Sequence, residues 1–501
     1  MMNAIEKIKQ VNQNIWFILI FIFASIFYLF NINFSDLWID EAFTKALVRH
    51  SYEEILQLIK NDFHPPLYFF GLKLFVTIFG LTNFTLRLFS IIGILATILL
   101  VYGTGKKIFG KPGSLYFCLL IVSLPMFAEY AHEARMYTWG AFAVTGTFLF
   151  ASRFISFNRR SDLLWCMAFS LFAAYTHYYA LLAVFWANVF VSVFLMVRRN
   201  NYFKIHLMYS IIASILYVPW FTAVLRQTKK VAESYWVPAL SWQTILSCML
   251  SPFAPKIYLP PFLPLALIIY GILLWVIYRN YIAKKEKQGL ELGLSLCMFW
   301  CTILTAMVVS LLMQPVLYMR YISTIIVLLL VPITLFFTTT KNNWIKGIVL
   351  AAILVFGVKV SIAGSFFSFG PYQQSINHLH EKFPEIKKVF HVVEWSAGPF
   401  AVYDNFDFQN YWYNPESTVV YTNMDVFDNL IQTDSLGKVL QEEEPFCLAS
   451  FSTIPFNENN VKRILSESQL TRVDTVFDNK MTPGIQIILY LLKYQGLEKQ
   501  M

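Results

Sequence analysis

Leu86–Gly105 reads LRLFSIIGILATILLVYGTG, twenty residues with one charge, Arg87, near its start. At the α-helical rise of about 1.5 Å per residue, that length matches the roughly 30 Å hydrocarbon core of a bilayer. Ten further runs of the same character flank it. They are Trp16 to Phe30, Ser114 to Ala128, Thr138 to Ile155, Leu163 to Tyr175, Leu181 to Val197, Ile205 to Leu225, Phe262 to Tyr278, Leu292 to Met313, Tyr321 to Thr339 and Trp344 to Ala363. Composition agrees: of 501 residues 57% are apolar, 18% aromatic and 14% charged, against roughly a quarter charged in a soluble domain. A soluble enzyme is excluded, and a multi-span helical membrane protein with about eleven transmembrane helices is expected. The six cysteines include no C-x-x-C pair, so neither a disulfide framework nor a zinc site is read from them.

The net charge of +9 is an average of two unlike parts. Residues 364–501 carry 10 Lys and Arg against 17 Asp and Glu, whereas residues 1–363 carry 29 against 13. A basic membrane domain, 1–363, is therefore expected to precede an acidic domain, 364–501, long enough to bury a core of its own. With a cytoplasmic N-terminus and eleven spans, the inside segments hold 17 basic residues, from Lys7 and Lys9 to Lys341 and Lys346, against four acids, Glu6, Asp162, Glu286 and Glu291. That pattern obeys the positive-inside rule at every loop. The basic residues thus encode orientation, and no nucleic-acid partner is read from them. Leu67 to Gly80, shorter and containing Lys73, is expected as a re-entrant or interfacial helix, because counting it as a span would reverse every later loop. The first span lacks a small-x-small cleavage site, so it reads as an uncleaved anchor. An odd number of spans places the acidic domain outside the cytoplasm. Its strand-like runs, Val389 to Glu394, Ser417 to Thr422, Phe446 to Phe451 and Ile485 to Leu492, alternate with helix-like Gln373 to Phe383 and Val461 to Ser466, which suggests an α/β or α+β fold.

The outside loops carry the chemistry. The first, residues 31–85, contains LWIDEAFTKALVRH, with Asp40 and Glu41 beside Trp38 at interface height, and NDFHPPLYFF, where two prolines stiffen the chain after His64. EYAHEARMY packs Glu129, His132, Glu133, Arg135 and Tyr137 between two apolar spans. Ionisable groups at membrane depth are costly, so such a cluster is a functional candidate, although an internally satisfied Glu–Arg pair would also account for it. His177 in THYYA punctuates an apolar hairpin and fits a turn residue as well as a ligand. Arg320, in QPVLYMRYIS, can snorkel to headgroups or bind a lipid phosphate through its guanidinium fork. The loop from Arg226 to Pro261, with Lys229, Lys230, Lys256, Trp236 and Trp242, fits an interfacial helix or a gating loop. DNFDFQNYWYN, Asp404 to Asn414, could stack on a sugar or belong to a core. Acids from the first loop and cations from later ones suit transfer from a lipid phosphate.

WIDEAFT, HPPLYFFGLKLF, FGLTNFTLRLFS, EARMY, THYYA and MRYIS, in that order, resemble the bacterial family 39 glycosyltransferases. These are relatives of the protein O-mannosyltransferases and of the lipid A aminoarabinose transferase, and they share the GT-C fold. The resemblance implies transfer of one sugar, with inversion, from a polyprenyl-phosphate donor to a glycan, lipid or protein acceptor at the outer face of a bacterial cytoplasmic membrane. It implies Asp40 as general base with Glu41 in support, Arg135, Arg320 and Arg87 on the donor phosphate, and His64, His132, Glu133, Tyr137 and His177 around the pocket. Members of the superfamily differ in metal use. Asp40, Glu133 and His64 offer mixed ligands whose spacing selects no ion, so a divalent cation stays open and no other cofactor is implied. An O-antigen polymerase or ligase fits less well, because of the early D-E pair and the long terminal domain. A transporter is disfavoured by the absence of an internal repeat and by ionisable groups at helix ends instead of mid-span.

Overall fold

The structure, a computed structural model, describes residues 2–233, 237–253, 262–282, 289–404, 407–415, 424–441, 443–451, 458–477 and 486–495. Trp236, Lys256, the lysines Lys284, Lys285 and Lys287 of a segment expected to face the cytoplasm, and the strand expected over Ser417 to Thr422 lie outside these residues.

Twenty α-helices and six strands occur in chain order among the described residues. The first helices are α1 (Met2–Leu29), α2 (Ile39–Leu47), α3 (Tyr52–Lys60), α4 (Leu67–Phe79), α5 (Asn83–Leu100), α6 (Lys106–Ser123), α7 (Pro125–Ala131), α8 (Tyr137–Phe157), α9 (Arg160–Thr176) and α10 (Tyr178–Val197). Then come α11 (Phe203–Glu233), α12 (Trp242–Leu250), α13 (Phe262–Ile277), α14 (Gly289–Leu312), α15 (Met319–Ile322), α16 (Leu330–Thr339) and α17 (Asn343–Gly364). The C-terminal part holds α18 (Tyr372–Lys382), β1 (Lys388–His391), α19 (Glu394–Tyr403), β2 (Gln409–Tyr413), β3 (Leu430–Thr433), β4 (Pro445–Phe451), α20 (Glu458–Ser466), β5 (Ser468–Phe477) and β6 (Gln486–Tyr494).

All eleven apolar runs fall on helical segments, and the chain is a multi-span helical membrane protein. Among the described residues, seven helical stretches are long and apolar enough to cross a bilayer, with Gln13–Leu29, Leu67–Phe79 and Ile326–Thr339 as shorter apolar helices. The stretch Asn83–Ser123 counts as one of the seven, yet Gly110 breaks it with φ 71°. That left-handed conformation suits glycine and separates the runs Leu86 to Gly105 and Ser114 to Ala128 into two arms. Two runs are less regular than their composition suggests. Ser114 to Ala128 is interrupted where Leu124 turns extended ahead of Pro125, because the residue before proline is steered out of the helical region. Tyr321 to Thr339 is broken by a 3-10 turn, Ile326–Leu329, before α16.

Backbone packing separates two compact units. The first comprises Met1–Ile32, Phe63–Phe75 and Phe84–Ser365; the second comprises Asn33–Asp62, Val76–Asn83 and Phe366–Met501. The compositional break near Ala363 thus lies beside a structural one, while most of the first loop packs with the C-terminal residues.

The second unit is built on a six-stranded sheet in the order β3-β2-β1-β4-β6-β5. The first four strands are parallel and β6 and β5 run antiparallel at the far edge. The parallel β1-α19-β2 connection makes this an α/β arrangement. The run Val389 to Glu394 is strand only through His391 and then becomes α19. The aromatic stretch Tyr411, Trp412 and Tyr413 is buried in β2, with Tyr411 stacked on Phe390 at 5.0 Å, so these aromatics serve the core.

Against that core lies a buried polar chain. His391 meets Ser396 Oγ at 3.1 Å and Asn410 Oδ1 at 3.2 Å, and Asn410 Nδ2 donates to Asp404 Oδ2 at 2.7 Å. Burial pushes the His391 imidazole down to about 4, with the bond to Asn410 acting the other way. The unfolded chain, with its histidine near 6.5, therefore takes up a proton that the folded chain refuses. Stability is full above pH 6.5 and is lost as pH falls from 6.5 to about 4, by on the order of 3 kcal/mol. In His391→Gln, the fall in melting temperature across that window should flatten, as followed by near-ultraviolet circular dichroism of the whole protein.

Candidate active site

In the first unit, the stretch EYAHEARMY lies where helices are interrupted. α7 ends at Ala131, α8 starts at Tyr137, and the Arg135 N–H donates to Glu133 O at 2.7 Å, a turn too tight for a helix. Neighbouring elements fasten this turn. A ring nitrogen of His132 lies 2.7 Å from Tyr28 O, Ser90 Oγ donates to Arg135 O at 3.2 Å, and Thr138 Oγ1 donates to Ser90 O at 2.7 Å. Glu133 and Arg135 are each 3% exposed.

The Arg135 guanidinium reaches His64, with Nη2 3.1 Å from Nε2. Arginine only donates, so the facing imidazole nitrogen is an unprotonated acceptor. His64 is carried by the Pro65-Pro66 entry to α4, where Pro66 O takes the Phe70 N–H at 3.1 Å. His177 joins α9 to α10 and caps α10, its Nδ1 accepting the Tyr179 N–H at 3.1 Å. Its ring also lies 6.4 Å from His64, 5.6 Å from Tyr137 and 5.6 Å from Tyr321. Burial first, then His64 and Arg135, hold the His177 imidazole well below its ordinary value. A neutral imidazole is thus favoured beside the Arg135 guanidinium, in a cluster that also holds the buried carboxylate of Glu133.

Arg320 sits half-buried on the single-turn helix α15, 5.4 Å over the Tyr318 ring. Its neighbour Tyr321 contacts Tyr179 at 5.5 Å and His177, so the Arg320 and Arg135 segments share aromatic surroundings. Arg87 on α5 is 3% exposed and donates from Nη1 to Ile32 O at 2.8 Å, a bond that ties α5 to the end of the α1 segment.

Asp40 and Glu41 belong to the second unit, in the first turn of α2, where acidic side chains interact favourably with the helix's N-terminal partial charge. Glu41 is fully buried and Asp40 partly so. The approach to this turn is fixed within the unit. Phe369 N–H donates to Ser35 Oγ at 3.2 Å, Gln373 N–H to Asp36 Oδ2 at 3.0 Å, and Trp38 stacks on Phe369 at 5.0 Å. Downstream, Lys45 donates to Asn83 Oδ1 at 3.2 Å, and burial, then Arg49, pushes its ammonium down to about 8.

Among the described residues, His380, Asp404 and Asp407 bring ligand atoms within 4.8 Å of one another. Asp404 is poorly suited to a metal there, because its carboxylate already accepts the N–H groups of Asp407 and Phe408 and the Asn410 amide.

A family described as dolichyl-phosphate-mannose-protein mannosyltransferase matches residues 63–222. The matched third holds HPPLYFF, LRLFS, EARMY and THYYA; the D-E pair and MRYIS lie outside it. Among solved structures, ArnT from Cupriavidus metallidurans in the apo state is 13% identical, with a TM-score of 0.61 over 95% of this chain and 97% of that one. The same protein bound to undecaprenyl phosphate gives 0.59 at 13% identity, over 95% and 98%. No curated protein matches by sequence. The fold is that of ArnT. The resemblance read from the motifs agrees with that fold and with the family match over residues 63–222.

Within this fold, the α19 residues that hold the D-E turn are not among the motifs. Tyr403, at the end of α19, accepts hydrogen bonds from the Leu37 N–H at 2.8 Å and from Asn83 Nδ2 at 2.7 Å. Nothing in the local sequence marks that tyrosine, since its partners are more than 300 residues away. Gly398, on the same helix, allows α19 to approach α2 closely: a Cβ there would lie 2.3 Å from Ile39 Cδ1 and 2.9 Å from Phe427 Cζ. Gly398→Leu should therefore force α2 and α19 apart, lowering stability by about 1–3 kcal/mol, read as a lower melting temperature together with faster proteolysis of the segment Asn33–Asp62.

Proposed function

We propose that this chain is an inverting glycosyltransferase that moves one sugar, a hexose or pentose, from a polyprenyl-phosphate donor to an acceptor hydroxyl on a glycan, lipid or protein. The observation that carries the reading is the shared fold with an ArnT bound to undecaprenyl phosphate, taken with Arg135 buried, and Arg320 half-buried, where helices are interrupted. The protein is placed in a bacterial cytoplasmic membrane, with eleven spans, a cytoplasmic N-terminus and an extracytoplasmic C-terminal domain. The positive-inside distribution of lysine and arginine supports that orientation.

In the proposed reaction, the acceptor oxygen attacks the anomeric carbon from the face opposite the phosphate. The new C–O bond forms as the bond to the phosphate oxygen breaks, and the bonding pair leaves with the polyprenyl phosphate. Asp40 takes the proton of the acceptor hydroxyl, with Glu41 supporting the turn. Arg135 and Arg320 hold the phosphate and meet the charge that grows on it. Arg87, the third arginine read for the donor phosphate, also anchors α5 through Ile32 O, and His64, His132, Glu133, Tyr137 and His177 shape the surroundings. Low exposure favours guanidinium over ammonium in this role, since guanidinium is the more weakly hydrated cation and forks onto two oxygens.

Full-length protein incubated with radiolabelled polyprenyl-phosphate sugars should release polyprenyl phosphate in step with labelled acceptor; movement of intact donor without release would make it a carrier. Asp40→Asn should abolish transfer while leaving undecaprenyl phosphate binding intact, and near-normal turnover of that variant would remove Asp40 from the chemistry. Arg320→Ala should raise the donor KM by about tenfold or more, as expected for a charge-assisted contact worth about 1.5–3 kcal/mol, without changing the choice of acceptor.

A further inference from the structure

Tyr403 is placed to set the position of the proposed base. Its hydroxyl oxygen accepts two hydrogen bonds, one from the Leu37 main-chain N–H and one from Asn83 Nδ2. Leu37 is fully buried and stands three residues before Asp40, immediately ahead of Trp38, the N-cap of α2. No side chain of that cap closes the first turn, so the entry angle of α2 is held from outside the helix.

Two further contacts link Tyr403 and its partner Asn83 to α2. Asn83 accepts from Lys45 at 3.2 Å, and the Lys45 ammonium lies 5.3 Å over the Tyr403 ring. Tyr403 therefore touches the chain before Asp40 through its oxygen and the chain after Asp40 through Asn83 and Lys45. On the same helix, Gly398 admits Ile39, the residue next to Asp40, against the α19 backbone.

We infer that Tyr403 is a positioning residue for the transfer, fixing the α2 turn so that the Asp40 carboxylate is presented in one orientation, and that the C-terminal domain is thereby an obligatory part of the catalytic apparatus. The inference rests on the reading of Asp40 as the base. Tyr403 takes no part in bond making; it removes freedom from the backbone that carries Asp40. Small displacements of a catalytic group suffice for large losses in rate, on the order of a hundredfold for a shift of about 1 Å.

The test uses the full-length protein in lipid nanodiscs. Tyr403→Phe keeps the ring over which Lys45 lies and removes the oxygen. Its kcat should fall by about tenfold to a hundredfold, with the donor KM and undecaprenyl phosphate binding unchanged, and hydrogen exchange at the Leu37 amide should accelerate. Asn83→Ala, which removes one of the two donors, should shift both readouts in the same direction by less, and the double variant should be no worse than Tyr403→Phe alone. Unchanged kcat in Tyr403→Phe alongside an inactive Asp40→Asn would overturn the positioning role and leave the base intact. An active Asp40→Asn would instead overturn the base, whatever Tyr403→Phe does. Unchanged exchange at Leu37 would remove the hydrogen bond on which the inference stands. Should Tyr403→Phe fail to fold, Asn83→Ala decides the matter by the same kcat and exchange readouts.

Discussion

A backbone in hydrocarbon must satisfy its own hydrogen bonds, and for an unbroken helix that leaves no place for chemistry except on the side-chain surface. This chain brings its ionisable groups to the interruptions instead. Where α6 gives way to α7, where Glu133 to Arg135 turn back, where His177 separates α9 from α10 and where the chain returns to α15, backbone groups lose their helical partners and side chains take them up. His177 accepts the Tyr179 N–H, and Ser310 Oγ accepts the N–H groups of Val316 and Leu317 at 2.9 and 3.1 Å. Arg135, His64 and Arg320 sit at or beside these same breaks. The turn chemistry that makes an interruption affordable is thus also what orients the charged groups there.

Hydrophobic run length was enough to find the helices of the first unit, because apolar length is a property of the local sequence. It overestimated their regularity at Pro125 and at the 3-10 turn after Arg320, where a proline and a short irregular segment divide runs that composition alone shows as continuous. In the second unit, β4, β6, α18 and α20 were legible as runs. β2 was concealed in DNFDFQNYWYN, whose aromatics suggest a binding surface when read singly. Burial of Tyr411, Trp412 and Tyr413 within the sheet explains the clustering: a central parallel strand is covered on both faces and reads as a near-continuous hydrophobic run.

The site was legible in part, for a similar reason. Arg135, Arg320, Asp40 and His64 stand out because ionisable residues beside apolar runs are rare and costly. Tyr403, Asn83 and Gly398 do not stand out, since a tyrosine, an asparagine and a glycine are ordinary at their positions. Their roles come from contacts between segments far apart in sequence, such as Leu37 with Tyr403 and Ile39 with Gly398. Linear composition likewise placed Asn33–Asp62 with the membrane domain that surrounds it in sequence, whereas packing joins it to the C-terminal residues.

The division between units also suits the two halves of the proposed chemistry. A leaving phosphate is best met by cations with little competing water, and Arg135, at 3% exposure beside a neutral histidine, offers that. A general base has the opposite need, since the proton it collects must pass to solvent before the next turnover. A carboxylate sealed in the helical bundle would have no route for that proton and would incur the full cost of burying its charge. Asp40, partly exposed on a short amphipathic helix that packs with a water-compatible α/β domain, avoids both penalties. Placing the proposed base on that domain requires that its backbone be held as firmly as a transmembrane helix would hold it, and α19, with Gly398 against Ile39 and Tyr403 against Leu37, is the element that holds it.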